Sequence, residues 1–118
     1  MKNKLALFTA LLVAQLAFGQ KMDPVKMADY QTDLMVERLA LTETQKTAVH
    51  AINQKYSVKQ AELLNRKGSM FSKMGDMKKI KKAKNAEMEA VLTDEQMTIL
   101  VDELEPEMRE QMKKNKKG

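Results

Sequence analysis

The chain has 118 residues, with 21 lysines and arginines against 16 aspartates and glutamates, and it contains no cysteine. A chain of this size forms a single small domain, and without cysteine it has neither disulfides nor thiol chemistry. One histidine and three serines, in no recognisable catalytic setting, give little support to an enzyme. His50 has Lys46 and Gln54 one helical turn away, which are poor metal ligands, so we expect no metal site and no cofactor.

The N-terminus has the pattern of a secretory signal peptide. Residues 1–4 are basic, residues 5–18 form an apolar run, and Ala17 and Gly19 are the small residues of a cleavage site. We therefore expect a signal peptide over residues 1–19 and a periplasmic mature domain over residues 20–118. The alternative is an uncleaved anchor helix, but the apolar run is short for a membrane span of about 20 residues. We expect no stable membrane insertion.

The mature chain reads as four helices. Apolar residues recur at spacings of three and four, and no segment alternates with a period of two. Gly68 is placed to end the second helix, and Pro106 should kink the fourth. The pattern therefore predicts an all-α fold. The expected helices begin at Pro24, Glu43, near Asp76 and at Asp94, and they end near Leu41, Lys67, Leu92 and Lys113. Lysines at the start of the third helix would oppose its dipole, so an earlier start near Ser69 is the alternative.

Two nearly identical pentapeptides precede the second and fourth helices. Residues 41–45 read LTETQ and residues 92–96 read LTDEQ. Threonine followed three residues later by glutamine fits a capping box, in which each side chain satisfies a backbone N–H that no helical carbonyl reaches. We expect both motifs to stabilise the scaffold without touching a binding partner. The predicted motif residues are Leu41, Thr42, Gln45, Leu92, Thr93 and Gln96.

The pair of LTxxQ motifs, in an exported, cysteine-free and methionine-rich helical chain, resembles the Spy/CpxP family of periplasmic stress chaperones. The resemblance implies a thin, curved helical-hairpin arrangement and a homodimer. It also implies binding of unfolded or partly folded proteins without ATP. The chain departs from the family in two respects. The segment between the motifs is short for the family and is interrupted by Gly68 and Gly75. Metal-binding relatives use several histidines, whereas this chain has only one.

A methionine-rich segment between the two motifs is the predicted client-binding surface. Spacings of one, four and seven place its apolar residues along one side of a helix, and methionine surfaces adapt to many partners. Lysines surround this segment and would attract acidic chains. The alternative interpretation is an ordinary solvated basic face. For Met97, Met108 and Met112 we expect core packing instead. The predicted client-binding residues are Met70, Phe71, Lys73, Met74, Met77, Lys78 and Lys81.

Other functions remain open at this point. A regulatory adaptor that binds the periplasmic domain of a sensor kinase is the main alternative. A Cu(I)-binding protein is another, because Met70, Met74 and Met77 supply soft thioether ligands. Nucleic acid is not an expected partner, since the mature chain has few aromatic residues to stack bases. The basic tail from about residue 113 is expected to be disordered and solubilising.

Overall fold

The computed structural model describes the backbone of residues 23–117 and the side chains of residues 23–111. The predicted signal peptide lies outside the described residues. Within them the fold is all-helical, as predicted, and no strand is present. The overall extents are 38 × 34 × 22 Å, so the molecule is only about two helix diameters thick. Its four helices are α1 (Pro24–Leu39), α2 (Glu43–Asn65), α3 (Met70–Glu89) and α4, which comprises Asp94–Ile99, a π-helical segment Leu100–Leu104, and Glu105–Lys117.

Helix α1 forms an antiparallel hairpin with α2, and its ends follow from local chemistry. The Asp23 carboxylate accepts a hydrogen bond from the Val25 N–H at 2.9 Å, and Pro24 occupies the first helical position. Ala40 ends the helix in the left-handed conformation with φ of 53°. Helix α2 begins three residues later, and the short connection forces the two helices to pack side by side.

Helix α3 begins at Met70, which agrees with the alternative start near Ser69 and lies six residues before Asp76. The Ser69 hydroxyl caps the helix by accepting from the Ser72 N–H at 3.2 Å, which the lysine-rich sequence had obscured. Gly68, with φ of +123°, lies in the preceding loop as expected. Gly75 does not interrupt the segment, because it lies inside the continuous helix α3. The helix ends at Glu89, before Leu92.

The π-helical segment of α4 lies immediately before Pro106. The Glu105 N–H donates to the carbonyl of Leu100, five residues back. Proline has no N–H and its ring crowds the carbonyl four residues earlier, so a wider turn relieves that crowding. A kink of the helix at Glu105-Pro106 was predicted. The structure instead shows a π-helical turn in the residues just before this proline. The helix then continues to Lys117, beyond residue 113 where the tail was expected to begin.

The hydrophobic core lies where all four helices meet. Met97 and Met108 pack against it, as predicted, whereas Met112 lies outside the described side chains. Val101, next to the buried Leu100 in the chain, is 40% exposed. The connected core cluster contains no residue of the loop between α2 and α3, although Ala61 and Leu63 near the end of α2 are also buried. Its buried members are Met35, Leu39, Val49, Ile52, Tyr56, Met88, Leu92, Leu100 and Leu104.

Candidate functional site

Both predicted capping boxes are confirmed. Thr42 Oγ1 accepts from the Gln45 N–H at 3.1 Å, and Gln45 Oε1 accepts from the Thr42 N–H at 3.1 Å. The same two bonds join Thr93 and Gln96, at 3.1 and 2.9 Å. Each box satisfies two backbone donors at the start of its helix, which are the N–H groups that a helix cannot pair internally.

The two boxes also contact each other, which the sequence did not predict. Gln45 Nε2 donates to Gln96 Oε1 at 2.8 Å, and Gln96 Nε2 lies 3.3 Å from Gln45 Oε1. Gln45 Nε2 also donates to the carbonyl of Val91 at 3.2 Å, and Gln96 Nε2 donates to that of Leu39 at 3.1 Å. Each glutamine thus caps its own helix, hydrogen-bonds the other glutamine, and donates to a backbone carbonyl that lies just before the other box. The repetition follows from this nearly symmetric contact.

Removing one cap should have a modest cost. Thr93→Ala is expected to lower the free energy of unfolding by about 1 kcal/mol, because the Gln96 N–H loses its acceptor. Chemical denaturation would measure this. Thr98→Ala is the matched control, since the Thr98 hydroxyl only donates to the Asp94 carbonyl within the same helix, and its loss should change stability little. Impaired partner binding by Thr93→Ala at unchanged stability would instead make the motif a contact site.

Exposed apolar side chains are concentrated at the start of α3, beside the loop of the α2–α3 hairpin. Phe71 is 84% exposed, Met74 49% and Met70 40%, and we call these three residues the α3 patch. Met77, predicted to join them, is half-buried. Single exposed apolar residues are ordinary, but three within five residues of one helix form a contiguous patch, which is typical of an interaction site.

The lysines predicted to flank the patch occupy different environments. Lys73 is buried, and its ammonium donates to the carbonyl of Leu64 at 3.2 Å and to that of Arg66. It satisfies carbonyls at the end of α2 and does not belong to the exposed surface. Lys81 is partly exposed and lies 3.2 Å from Glu105 Oε1 in an ion pair. Of the three predicted lysines, Lys78 alone is exposed and in no described ion pair.

A second lysine of α3, Lys84, reaches into the interface between three helices. Its Nζ donates to Gln31 Oε1 at 2.8 Å, and Gln31 Nε2 donates to Gln60 Oε1 at 3.3 Å. Burial lowers the pKa of Lys84 from 10.5 to about 8, and the charge of Glu105 opposes that shift only in part. This contact could not be predicted from the sequence, because Lys84 is one of six lysines in the same segment and nothing in the pattern distinguishes it.

His50 lies at the boundary of the fold, as predicted, and its Nε2 is 3.1 Å from Asp29 Oδ1. Neither this contact nor the position of Asp33 was predicted. The pKa of Asp33 is raised, first by burial and then by the negative charge of Asp29. Within residues 23–111, no group of three histidine, aspartate or glutamate side chains is placed to hold a metal ion. The arrangement is a polar contact between α1 and α2.

The structure therefore defines a small all-helical protein with paired capping boxes and one exposed apolar patch. Residues 14–99 match the family described as Domain of unknown function (DUF4890), and the chain belongs to that family. Comparison with curated proteins and with solved structures gives no match. No helix in the described part of the chain is long and apolar enough to cross a membrane.

Proposed function

We propose that this protein is an ATP-independent chaperone of the Spy/CpxP type, which acts as a homodimer in the periplasm and binds non-native proteins through the α3 patch. The observation that carries the proposal is the exposure of Phe71, Met70 and Met74, none of which packs against the connected core cluster of the fold. A folded protein of this size has little reason to leave these side chains in water unless another molecule covers them.

The composition of the α3 patch fits clients that differ in sequence. A methionine side chain has three rotatable bonds and a polarizable sulfur, so Met70 and Met74 can change rotamer to match different apolar groups. Phe71 supplies the largest apolar surface, and burying such a side chain is worth about 1.5 to 3 kcal/mol. The patch therefore supports weak, reversible and unspecific contacts, which is what binding of many unfolded chains requires.

The stability of the patch itself supports the same function. The buried Lys73 ammonium bonds two carbonyls at the end of α2, and it does so from the first turn of α3. This contact holds the hairpin loop against the helix that carries the patch. The apolar side chains are thus presented by a fixed backbone, so less conformational entropy is lost when a client binds.

The proposal predicts that the purified mature chain slows the aggregation of several unrelated unfolding proteins at near-stoichiometric ratios. Replacing Met70, Phe71 and Met74 by alanine should abolish most of this effect, because the apolar surface is lost while helix propensity is kept or raised. Light scattering measures aggregation. Val101→Ala is the matched control, since Val101 is 40% exposed on α4, outside the α2–α3 hairpin.

The outcomes separate this function from the alternatives. If the wild-type chain protects none of the tested proteins, the chaperone proposal is wrong and an adaptor for one folded partner, such as a sensor-kinase domain, becomes the better hypothesis. Replacing Met70, Met74 and Met77 by leucine keeps an apolar surface and removes the sulfurs. A chaperone should retain its activity in this variant, whereas submicromolar Cu(I) binding that disappears in it would indicate a copper site.

A further inference from the structure

Charge is strongly segregated along the chain. Residues 55–84, which form the second half of α2, the hairpin loop and most of α3, contain ten basic and two acidic side chains. Residues 85–111 contain nine acidic side chains and one basic side chain, and the last seven residues add four lysines. The positive segment includes the loop end of the α2–α3 hairpin, and the negative segment includes α4 up to Gln111. Within residues 23–111 the charge is therefore polarised, with its positive part around the α3 patch.

The outer face of α3 combines this charge with the apolar patch. Phe71, Met74, Lys78 and Lys82 follow one another at successive turns of the helix, at spacings of three, four and four, and all four are exposed. Residues so spaced lie on one face of a helix. No ion pair among residues 23–111 engages Lys78 or Lys82, and the same holds for the exposed Lys79 beside them. This stripe of α3 therefore has apolar side chains at its N-terminal end and lysines without an ion-pair partner in its later turns.

We infer that the loop end of the α2–α3 hairpin docks on an anionic lipid surface, with Phe71, Met70 and Met74 entering the interface and the lysines of α3 contacting lipid headgroups. Peripheral proteins combine apolar residues buried about 5 to 10 Å into the interface with basic residues on the polar side. The protein is adsorbed and does not cross the bilayer, since no described helix is long and apolar enough to do so.

Two observations favour a lipid surface over an acidic protein as the partner of the α3 lysines, and lipid would then compete with the proposed clients for the α3 patch. The exposed cations of the stripe are lysines, which act as hydrated point charges and are attracted by the negative surface potential of an anionic membrane. Specific binding of a carboxylate would favour arginine, whose planar guanidinium forms two parallel hydrogen bonds with it. The segregation of charge also has an orienting effect. A uniformly negative plane attracts the positive segment of residues 55–84 and repels the acidic first part of α4, residues 94–111, so the molecule meets that plane with the α3 patch foremost.

Flotation with vesicles tests the inference. The full mature chain should float with vesicles of phosphatidylcholine and phosphatidylglycerol but not with vesicles of phosphatidylcholine alone. Phe71→Ala should weaken binding about tenfold through lost apolar burial. Replacing Lys78, Lys79 and Lys82 by glutamine should weaken it by a similar factor or more at low salt, and added salt should reduce wild-type binding. Circular dichroism confirms that each variant is folded.

Matched controls separate position from composition. Val101→Ala removes an exposed apolar side chain outside the α2–α3 hairpin, and exchanging Arg38, Lys46 and Arg109 for glutamine removes three positive charges away from its loop. Neither control should change vesicle binding more than about twofold if the hairpin is the docking element, given the screening of distant charges. Equal losses from the control and the hairpin lysines would show that net charge alone drives adsorption, which overturns the assignment of the site.

The inference and the proposed function fail separately. No binding to anionic vesicles, or equal binding to neutral vesicles, would overturn the lipid inference whatever the result of the aggregation assay. Binding to an acidic unfolded protein without vesicle binding would assign the basic stripe to protein clients instead. Vesicle binding that survives Phe71→Ala and the lysine exchange would place the lipid contact elsewhere on the molecule.

Discussion

Gln96→Ala should lower the free energy of unfolding by about 3 kcal/mol. The substitution removes the reach-back bond to the Thr93 N–H, the bonds with the Gln45 amide and the bond to the Leu39 carbonyl. A typical hydrogen bond contributes about 0.5 to 1.5 kcal/mol, and a buried group left without its partner costs about 1 to 3 kcal/mol. For a domain of this size the unfolding midpoint should fall by about 10 to 20 °C. Thermal and denaturant unfolding both measure it.

The matched control for this prediction is Gln54→Ala. Gln54 is exposed on α2, so its replacement by alanine should leave stability unchanged or slightly higher through helix propensity. A double-mutant cycle with Gln45→Ala and Gln96→Ala isolates the contact between the two boxes, and it should give a coupling energy of about 1 to 2 kcal/mol. If Gln96→Ala costs no more than Thr93→Ala, the contact between the boxes contributes nothing and each box acts only on its own helix.

This contact marks the boundary of what the sequence could predict. A capping box is local, since Thr42 and Gln45 are three residues apart and the helix itself brings them together, so the motif alone predicted both caps. The bond between Gln45 and Gln96 joins residues 51 positions apart and depends on how four helices pack. The only signal for it was the near identity of the two pentapeptides, which local capping already explained.

The start of α3 shows a different kind of failure. Lysines near a helix N-terminus oppose its dipole, which counted against a start near Asp76 and left an earlier start near Ser69 as the alternative, without deciding between them. In the structure the Lys73 ammonium turns back to the carbonyls at the end of α2, so it stabilises a C-terminus instead of opposing an N-terminus. Which helix end a long side chain serves is decided by tertiary contacts, which the sequence pattern does not contain.

Helical spacing alone could not separate the methionines of the core from those of the surface. Met97 and Met108 are eleven residues apart and Met70 and Met74 are four apart, and either spacing keeps two residues on one helix face. Only Met97 and Met108 pack against the core. The difference arises because α4 covers the end of the bundle that holds the capping boxes. The loop end of the α2–α3 hairpin extends beyond that cover, so its apolar residues remain in water.

Lys84→Met should stabilise the protein at neutral pH by about 2 kcal/mol. Burial lowers the pKa of Lys84 from 10.5 to about 8, so the charged form is disfavoured in the folded state. At pH 7 the lysine is nevertheless protonated in both states, and a shift of this size corresponds to about 3 kcal/mol of unfavourable interaction. Methionine, whose side chain is similar in length to that of lysine, removes that cost, although the side-chain oxygen of Gln31 loses its hydrogen-bond donor.

The same shift predicts the pH dependence of the wild-type protein. Between about pH 8 and pH 10 the unfolded chain binds more protons at Lys84 than the folded chain does, so the free energy of unfolding rises with pH in this window. Below about pH 7 the contribution is flat. Above pH 10 the pKa of Tyr30, which burial and then Glu107 raise, acts in the opposite direction and limits the gain. Denaturant unfolding at several pH values measures the slope.

Comparison of two lysines on one helix tests the cause. Lys84→Met should abolish the rise in stability between about pH 8 and pH 10, whereas Lys82→Met, at an exposed position of α3, should leave it intact. A wild-type protein whose stability does not change over this window would show that Lys84 is not desolvated. If Lys84→Met were also less stable at pH 7, then the bond to Gln31 and the charge of Glu105 together outweigh the cost of burial, and the lysine is a stabilising contact between α1 and α3.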